Sequence, residues 1–245
     1  MKKKIFLLFL IFPMLIRAQM DTSIIKLLRA KPSFFFDSSI LRRQDYNQGN
    51  LPLFEGIWRK KDKKSGRIFS IAEYSNGKIH GHYVDLSLTG GITQSLYYYH
   101  GVLNGPWFFL WDNGNFRTIG FYLNGKLEGV LRDFDTSGNL INIVEYESGK
   151  RIGPEVRLYP SGNIKIVTYY SGDEENGVRK EYKDTLGYEL KGEFEMKNGL
   201  PVTGKFFVNG ILTRTQNYDY NQLLKERKEL SIKGGDYDLK ELLSN

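Results

Sequence analysis

Glycine recurs every 24 residues along most of this chain, and that period limits what the chain can fold into. Gly77, Gly101, Gly125 and Gly149 are each 24 apart, and Gly172 follows at 23. A second column runs Gly81, Gly105, Gly129, Gly153, Gly177, and a third Gly66, Gly90, Gly114, Gly138, Gly162. Tyr74, Tyr98, Tyr122, Tyr146 and Tyr170 keep the same period. Two residues after each third-column glycine comes an apolar side chain: Ile68, Ile92, Phe116, Leu140, Ile164. A self-similar period of this length marks a repeat architecture. Glycine every few positions also removes the apolar 3.6-residue pattern that a helix needs.

Each unit reads as a β-hairpin. Dipeptides such as Asn76-Gly77, Asn113-Gly114, Asn124-Gly125, Ser137-Gly138, Ser148-Gly149 and Ser161-Gly162 supply the positive φ of type I′ hairpin turns. The runs between them are rich in β-branched and aromatic residues, as strands demand. Short turns make successive strands antiparallel neighbours. At about 4.8 Å per strand, each hairpin adds roughly 10 Å of sheet. The expected fold is all-β: an elongated antiparallel meander of about seven tandem hairpins over 56–220, with short helical segments at the termini.

The period frays at both ends, as a capped array should. A degenerate first unit begins at Gly56-Ile57-Trp58 and turns at Ser65-Gly66. Gly187 falls 25 residues after Gly162, and Asn198-Gly199 and Asn209-Gly210 close shortened hairpins. Residues 20–55 form a lead-in with a short helix expected over 22–30. Within 221–245, Asn221 to Leu230 and Tyr237 to Leu243 are expected to form a helical cap over the last edge strand.

The formal charge of +7, from 35 basic and 28 acidic residues, is inflated by the first 19. Lys2, Lys3 and Lys4 precede the apolar run Ile5–Ile16, and Ala18 offers a small residue for cleavage, the pattern of a secretory signal peptide. Cleavage after Ala18 removes four cations and no acid, leaving +3. That balance does not point to nucleic acid. The expected location is therefore exported: periplasm, cell surface or extracellular space. The absence of cysteine excludes disulfides, thiolate metal sites and a cysteine nucleophile.

The segment Tyr122-Leu-Asn-Gly-Lys-Leu-Glu-Gly129 followed by Ser137-Gly138, and the segment Gly105-Pro-Trp107-Phe-Phe-Leu-Trp111-Asp-Asn-Gly114, carry a family likeness. Both resemble the variant MORN repeat (membrane occupation and recognition nexus) of bacterial proteins, some of them named YwqK-like antitoxins. The likeness covers about 56–218. It implies β-hairpin repeats, and for some members a role beside a toxin. The tryptophan column is filled at Trp58 and Trp107 and becomes Tyr83, Leu131 and Glu155 elsewhere.

Strict alternation places Ile164, Ile166, Thr168 and Tyr170 on one face, with Phe116, Thr118, Gly120 and Tyr122. Ile71, Ile119, Ile143 and Val167 then form the opposite face. Two apolar faces imply coiling, packing by terminal segments, or an occupied binding surface. The candidate binding surface is the aromatic set Tyr97, Tyr99, Trp107, Phe109 and Trp111, residue types that dominate interfaces. A candidate basic patch comprises Arg59, Lys60, Lys61, Lys63, Lys64 and Arg67; the same cations would also block edge pairing. His80 and His82 flank Gly81 as a surface pair, with Asp85 on the other face. No nucleophile elbow, zinc-protease motif or phosphate loop is present. The expectation is a non-catalytic scaffold that binds another protein and uses no cofactor. The alternatives are a membrane-lipid or cell-surface glycan module and an antitoxin-type protein.

Overall fold

The computed structural model describes residues 47–48 and 55–232. The expected leader, the helix over 22–30 and the segment 237–243 lie outside the described residues. Within them the chain is one open antiparallel meander of eighteen strands. In chain order these are β1 Asn47–Gln48, β2 Glu55–Lys61, β3 Ile68–Ser75, β4 Lys78–Leu86, β5 Ile92–Tyr99 and β6 Val102–Leu103. Then come β7 Gly105–Leu110, β8 Phe116–Leu123, β9 Lys126–Leu127, β10 Gly129–Phe134, β11 Leu140–Glu147 and β12 Lys150–Leu158. The last are β13 Ile164–Ser171, β14 Glu174–Glu175, β15 Gly177–Tyr182, β16 Leu190–Lys197, β17 Leu200–Val208 and β18 Ile211–Asn217, before helix α1, Tyr220–Ile232. The elongated hairpin meander expected from the period is the observed fold.

The three glycine columns do three different jobs. The first column makes two-residue type I′ turns: Asn124 and Gly125 have φ of 50° and 80°, both positive as this turn requires. Each such turn leans on the preceding unit. Gly101 N donates to Ile79 O (2.7 Å), Gly125 N to Leu103 O (2.7 Å) and Gly149 N to Leu127 O (2.8 Å).

The third column closes a wider turn. Gly114 N donates to Trp111 O and Trp111 N to Asn115 O, both at 2.8 Å, with only the glycine at positive φ. This is a type I turn followed by a left-handed residue. Asn113-Gly114, Ser137-Gly138 and Ser161-Gly162 are therefore not the type I′ turns the dipeptides suggested.

The second column lies inside the sheet, where the register shifts. At Gly105 a Cβ would stand 2.9 Å from Tyr97 Cδ1. These glycines face the tyrosine column, as Gly81↔Tyr98, Gly105↔Tyr122, Gly129↔Tyr146 and Gly153↔Tyr170.

A further one-residue bulge beside each wide turn overturns strict alternation. Arg157 pairs with Ile166 and Leu158 with Ile164, so Lys165 is the extra residue. The bulge flips everything beyond it to the other face. Ile164 thus packs with Ile143, Val156, Leu158 and Val167, not with Ile166 and Tyr170. Ile68 and Ile92 likewise join Ile71 and Val84, and Phe116 meets Phe108 edge-on at 5.6 Å.

The result is one apolar face, here the isoleucine face. Its central row runs from strand to strand as Ile71, Val84, Ser95, Phe108, Ile119, Arg132, Ile143, Val156, Val167, every member buried. The opposite, tyrosine face carries Tyr98, Trp107, Tyr122, Val144, Glu155 and Phe194.

Helix α1 starts where Asp219 Oδ1 accepts from Asn221 N (3.0 Å) and Gln222 N (3.1 Å), an N-cap. It docks against β17, with Leu223 and Leu200 buried and Arg227 Nη1 donating to Asn198 O at 2.7 Å. It does not shield the last edge strand as expected, for β18 is exposed from Ile211 to Thr215.

Two outcomes follow. The Trp107 indole lies on Gly120, where a Cβ would approach Cε2, Cζ2 and Nε1 to 2.8 Å. Gly120→Ala should cost about 1–3 kcal/mol in urea unfolding, the range of an overpacked core, with a shift in tryptophan emission. In the wide turn after β10, hydrogen bonds from the Asn139 side chain and backbone N–H hold Asp135 below the ordinary carboxylate pKa. Its contribution is present at neutral pH and is lost as pH falls through the depressed value. The Tm gap between wild type and Asp135→Ala should therefore close as pH drops below about 4.

Candidate functional site

The five aromatics singled out by sequence do not form one platform. β5 pairs with β7, placing Ser95 opposite Phe108 and Gln94 opposite Phe109. Tyr97 and Tyr99 therefore point to the isoleucine face, while Trp107 and Phe109 point to the tyrosine face. Trp107 is only 5% exposed, with its ring 5.1 Å from Phe109 and 5.5 Å from Tyr122. Trp111 sits in the turn, donating from Nε1 to Phe134 O at 3.0 Å beneath the Arg117 guanidinium at 4.9 Å.

The six cations also divide. Lys60, Lys61, Lys63, Lys64 and Arg67 are exposed around the first wide turn, whereas Arg59 is half-buried on the isoleucine face, opposite Ile71. Asp62 organises that turn by accepting from Ser65 N and Ser65 Oγ, both at 2.7 Å, and these bonds lower its pKa. Lys60 stands 5.2 Å over the Phe69 ring, and Arg67 donates to Leu88 O at 3.1 Å.

An ionic lattice on the tyrosine face escaped the sequence reading. Buried Glu155 meets Arg157 at 2.8 Å and Arg151 at 3.9 Å. Arg151 also reaches Asp173 at 3.3 Å and lies 4.0 Å over the Tyr170 ring. One unit later Arg179 meets Glu181 at 2.8 Å and Glu175 at 3.7 Å. Tyr170 donates to Glu175 Oε1 at 3.3 Å. Burial, then the charges of Glu155 and Glu175, push its phenol pKa up. The available signal was charge order: Glu155-x-Arg157 becomes Arg179-x-Glu181 after 24 residues.

On the isoleucine face, toward the type I′ turns, lies a cleft of about 820 Å³ whose lining includes Glu55, Glu73, His80, His82, Tyr97 and Phe121. His82 is 6% exposed, so the two histidines are not a surface pair. Its ring meets Tyr97 edge-on at 5.0 Å. His80 Nδ1 accepts from His100 N at 3.4 Å, as Asn104 Oδ1 accepts from Asn124 N (3.2 Å) and Glu128 Oε2 from Ser148 N (2.8 Å). Glu55 Oε2 plays that part for Asn76 N at 2.8 Å. Glu73 Oε2 accepts from His82 N at 2.7 Å across the bulge.

No protein-family model matches the chain, and no curated protein matches it. Among solved structures, it is similar to the Glycosylation Associate Protein (Gap123) complex from Streptococcus agalactiae. That match is 15% identical, with TM-score 0.24, and covers 78% of this chain and 27% of the other. It is also similar to accessory secretory protein 1, 2 and 3 in Streptococcus pneumoniae, at 13% identity and TM-score 0.18, over 55% of this chain and 19% of the other. The chain spans under a third of either chain's length, and likeness this distant carries no argument about role.

The lattice makes a definite demand on stability. Arg179 is 12% exposed between Glu175 and Glu181, which keep 15% and 18%. Arg179→Met should cost about 2 kcal/mol in equilibrium unfolding, less than for a fully buried pair because both carboxylates still reach water. A double change with Glu181→Leu should recover part of the loss.

Proposed function

We propose that this chain is an exported, non-catalytic interaction repeat, a MORN-type variant, that takes up a partner protein by strand addition along β18. The observation that carries this reading is the state of that edge. Among the described residues β18 pairs with β17 alone. Beside and along the edge Val208, Ile211 and Leu212 are 53%, 69% and 50% exposed. Proteins usually blunt such an edge with lysine or proline, as Lys60 and Lys61 do on β2. The one cation of β18, Arg214, instead lies 4.1 Å over the Phe206 ring. An extended partner segment would satisfy the edge backbone groups and cover these side chains.

Hydrogen bonding in the cleft supports a non-catalytic reading. Its carboxylates and His80 accept from backbone N–H groups of turns and bulges, which are structural tasks. Export agrees with the basic, then apolar, leader that ends near Ala18.

The test is a cross-linking pull-down from the envelope fraction, comparing wild type with Ile211→Lys plus Leu212→Lys. Both side chains are exposed, so Tm should stay close to wild type. Loss of the wild-type partner is the expected result. An unchanged partner set would refute strand addition at β18.

A further inference from the structure

We infer that Asn209, in the turn between β17 and β18, is a site of spontaneous covalent modification: it deamidates through a succinimide, and its isoaspartate product loosens β18. The inference concerns the turn itself and does not depend on what occupies the β18 edge.

The chain contains seven Asn-Gly pairs, beginning at Asn76, Asn104, Asn113, Asn124, Asn176, Asn198 and Asn209. In such a pair the glycine nitrogen can reach the preceding side-chain amide, because no Cβ limits the glycine backbone. At Asn209 the Gly210 nitrogen gives up its proton to solvent base and attacks the side-chain Cγ. A C–N bond forms, the Cγ–Nδ2 bond breaks, and Nδ2 leaves as ammonia. Water then opens the succinimide ring at either carbonyl, giving aspartate or isoaspartate. The net change is one water consumed and one ammonia released.

Sequence makes all seven pairs candidates, and hydrogen bonding separates them. Attack needs an untethered glycine N–H and a mobile side-chain amide. At Asn113 both are engaged, for Nδ2 donates to Thr136 O at 2.6 Å and Gly114 N to Trp111 O at 2.8 Å. Asn104 and Asn176 have Oδ1 committed to Asn124 N (3.2 Å) and Asn198 N (3.0 Å). Those bonds also latch the next turns, where Gly125 N donates to Leu103 O (2.7 Å) and Gly199 N to Glu175 O (2.9 Å). Among the described residues, Asn76 is held through its own N–H alone, which donates to Glu55 Oε2 at 2.8 Å. Neither Asn209 nor Gly210 makes any of these bonds among the described residues. Their turn closes the last hairpin, whose strand β18 is exposed from Ile211 to Thr215. An edge hairpin opens more readily than one held on both sides.

The two products differ in consequence. Asp-Gly suits a type I′ turn as Asn-Gly does, so aspartate leaves the turn standing. Isoaspartate routes the backbone through the side chain and adds a methylene to a two-residue turn held at φ of 50° and 76°. The lengthened turn no longer fits the pairing of Val208 with Ile211, and β18 loosens from that end.

The test is peptide mapping by mass spectrometry on the whole protein, aged in mildly alkaline buffer made with heavy-oxygen water, which labels each deamidated site. Asn209 should react about fivefold or more faster than Asn124 and Asn198, the factor that one ordinary hydrogen bond is worth, with Asn76 next. Unfolding in urea should remove the difference, since only flanking chemistry then remains. Hydrogen exchange on the isoaspartate fraction, separated by chromatography, should be faster along β18 and unchanged along β12 and β13. Asn209→Asp should keep wild-type protection. Equal rates at Asn209 and the latched turns of the folded protein, or the same rank order in urea, would overturn the assignment. Unaltered protection of β18 in the isoaspartate fraction would overturn the loosening.

Discussion

Residues with a Cβ resist positive φ, and each full unit of this chain bends to positive φ in three places. Gly125 completes a tight turn, Gly114 ends a wide one, and Gly105 sits at a register shift inside the sheet. Tight turns set the antiparallel order, and their N–H groups bond back to the unit before. Two of the in-sheet glycines leave room for a side chain of the neighbouring strand, Gly81 for Glu73 and Gly105 for Tyr97. Asn104, Glu128 and His80 then serve one purpose with three chemistries, accepting from the next turn.

The bulges decide how the faces are divided. One extra residue beside each wide turn brings Ile68, Ile92, Phe116 and Ile164 onto the face that already holds Ile71, Phe108, Ile143 and Val167. From Ile71 to Val167 the buried central row of that face is then apolar except at Ser95 and Arg132. The tyrosine face is left to mix aromatics near β7 with ion pairs on β12 and β15. A sheet assembled this way has its core in a row of cross-strand neighbours, in which Ile143 and Val156 are fully buried.

Hairpins, strand order and the hairpin-repeat architecture were legible in sequence because turn chemistry is local and recurs with the period. Face assignment was not. A bulge inside each unit leaves the 24-residue spacing intact while reversing which side chains meet, so Ile164 and Ile166 looked like companions and are not. For the same reason Tyr97 and Trp107 read as one platform although the ladder turns them apart. The cleft was illegible because Glu55, His82 and Phe121 become neighbours only through successive register shifts. The exposure of β18 was missed because the amphipathic pattern of α1 shows that the helix docks, and not on which strand.

The bulge-directed division into faces is the central claim, and methyl NOE spectroscopy on isotopically labelled isoleucine, leucine and valine tests it most directly. The account predicts that the strongest contacts of Ile164 are to Val156, Leu158 and Val167, with Ile166 turned to the opposite face. Strong contacts from Ile164 to Ile166, with none to Val167, would show strict alternation along β13 and contradict it.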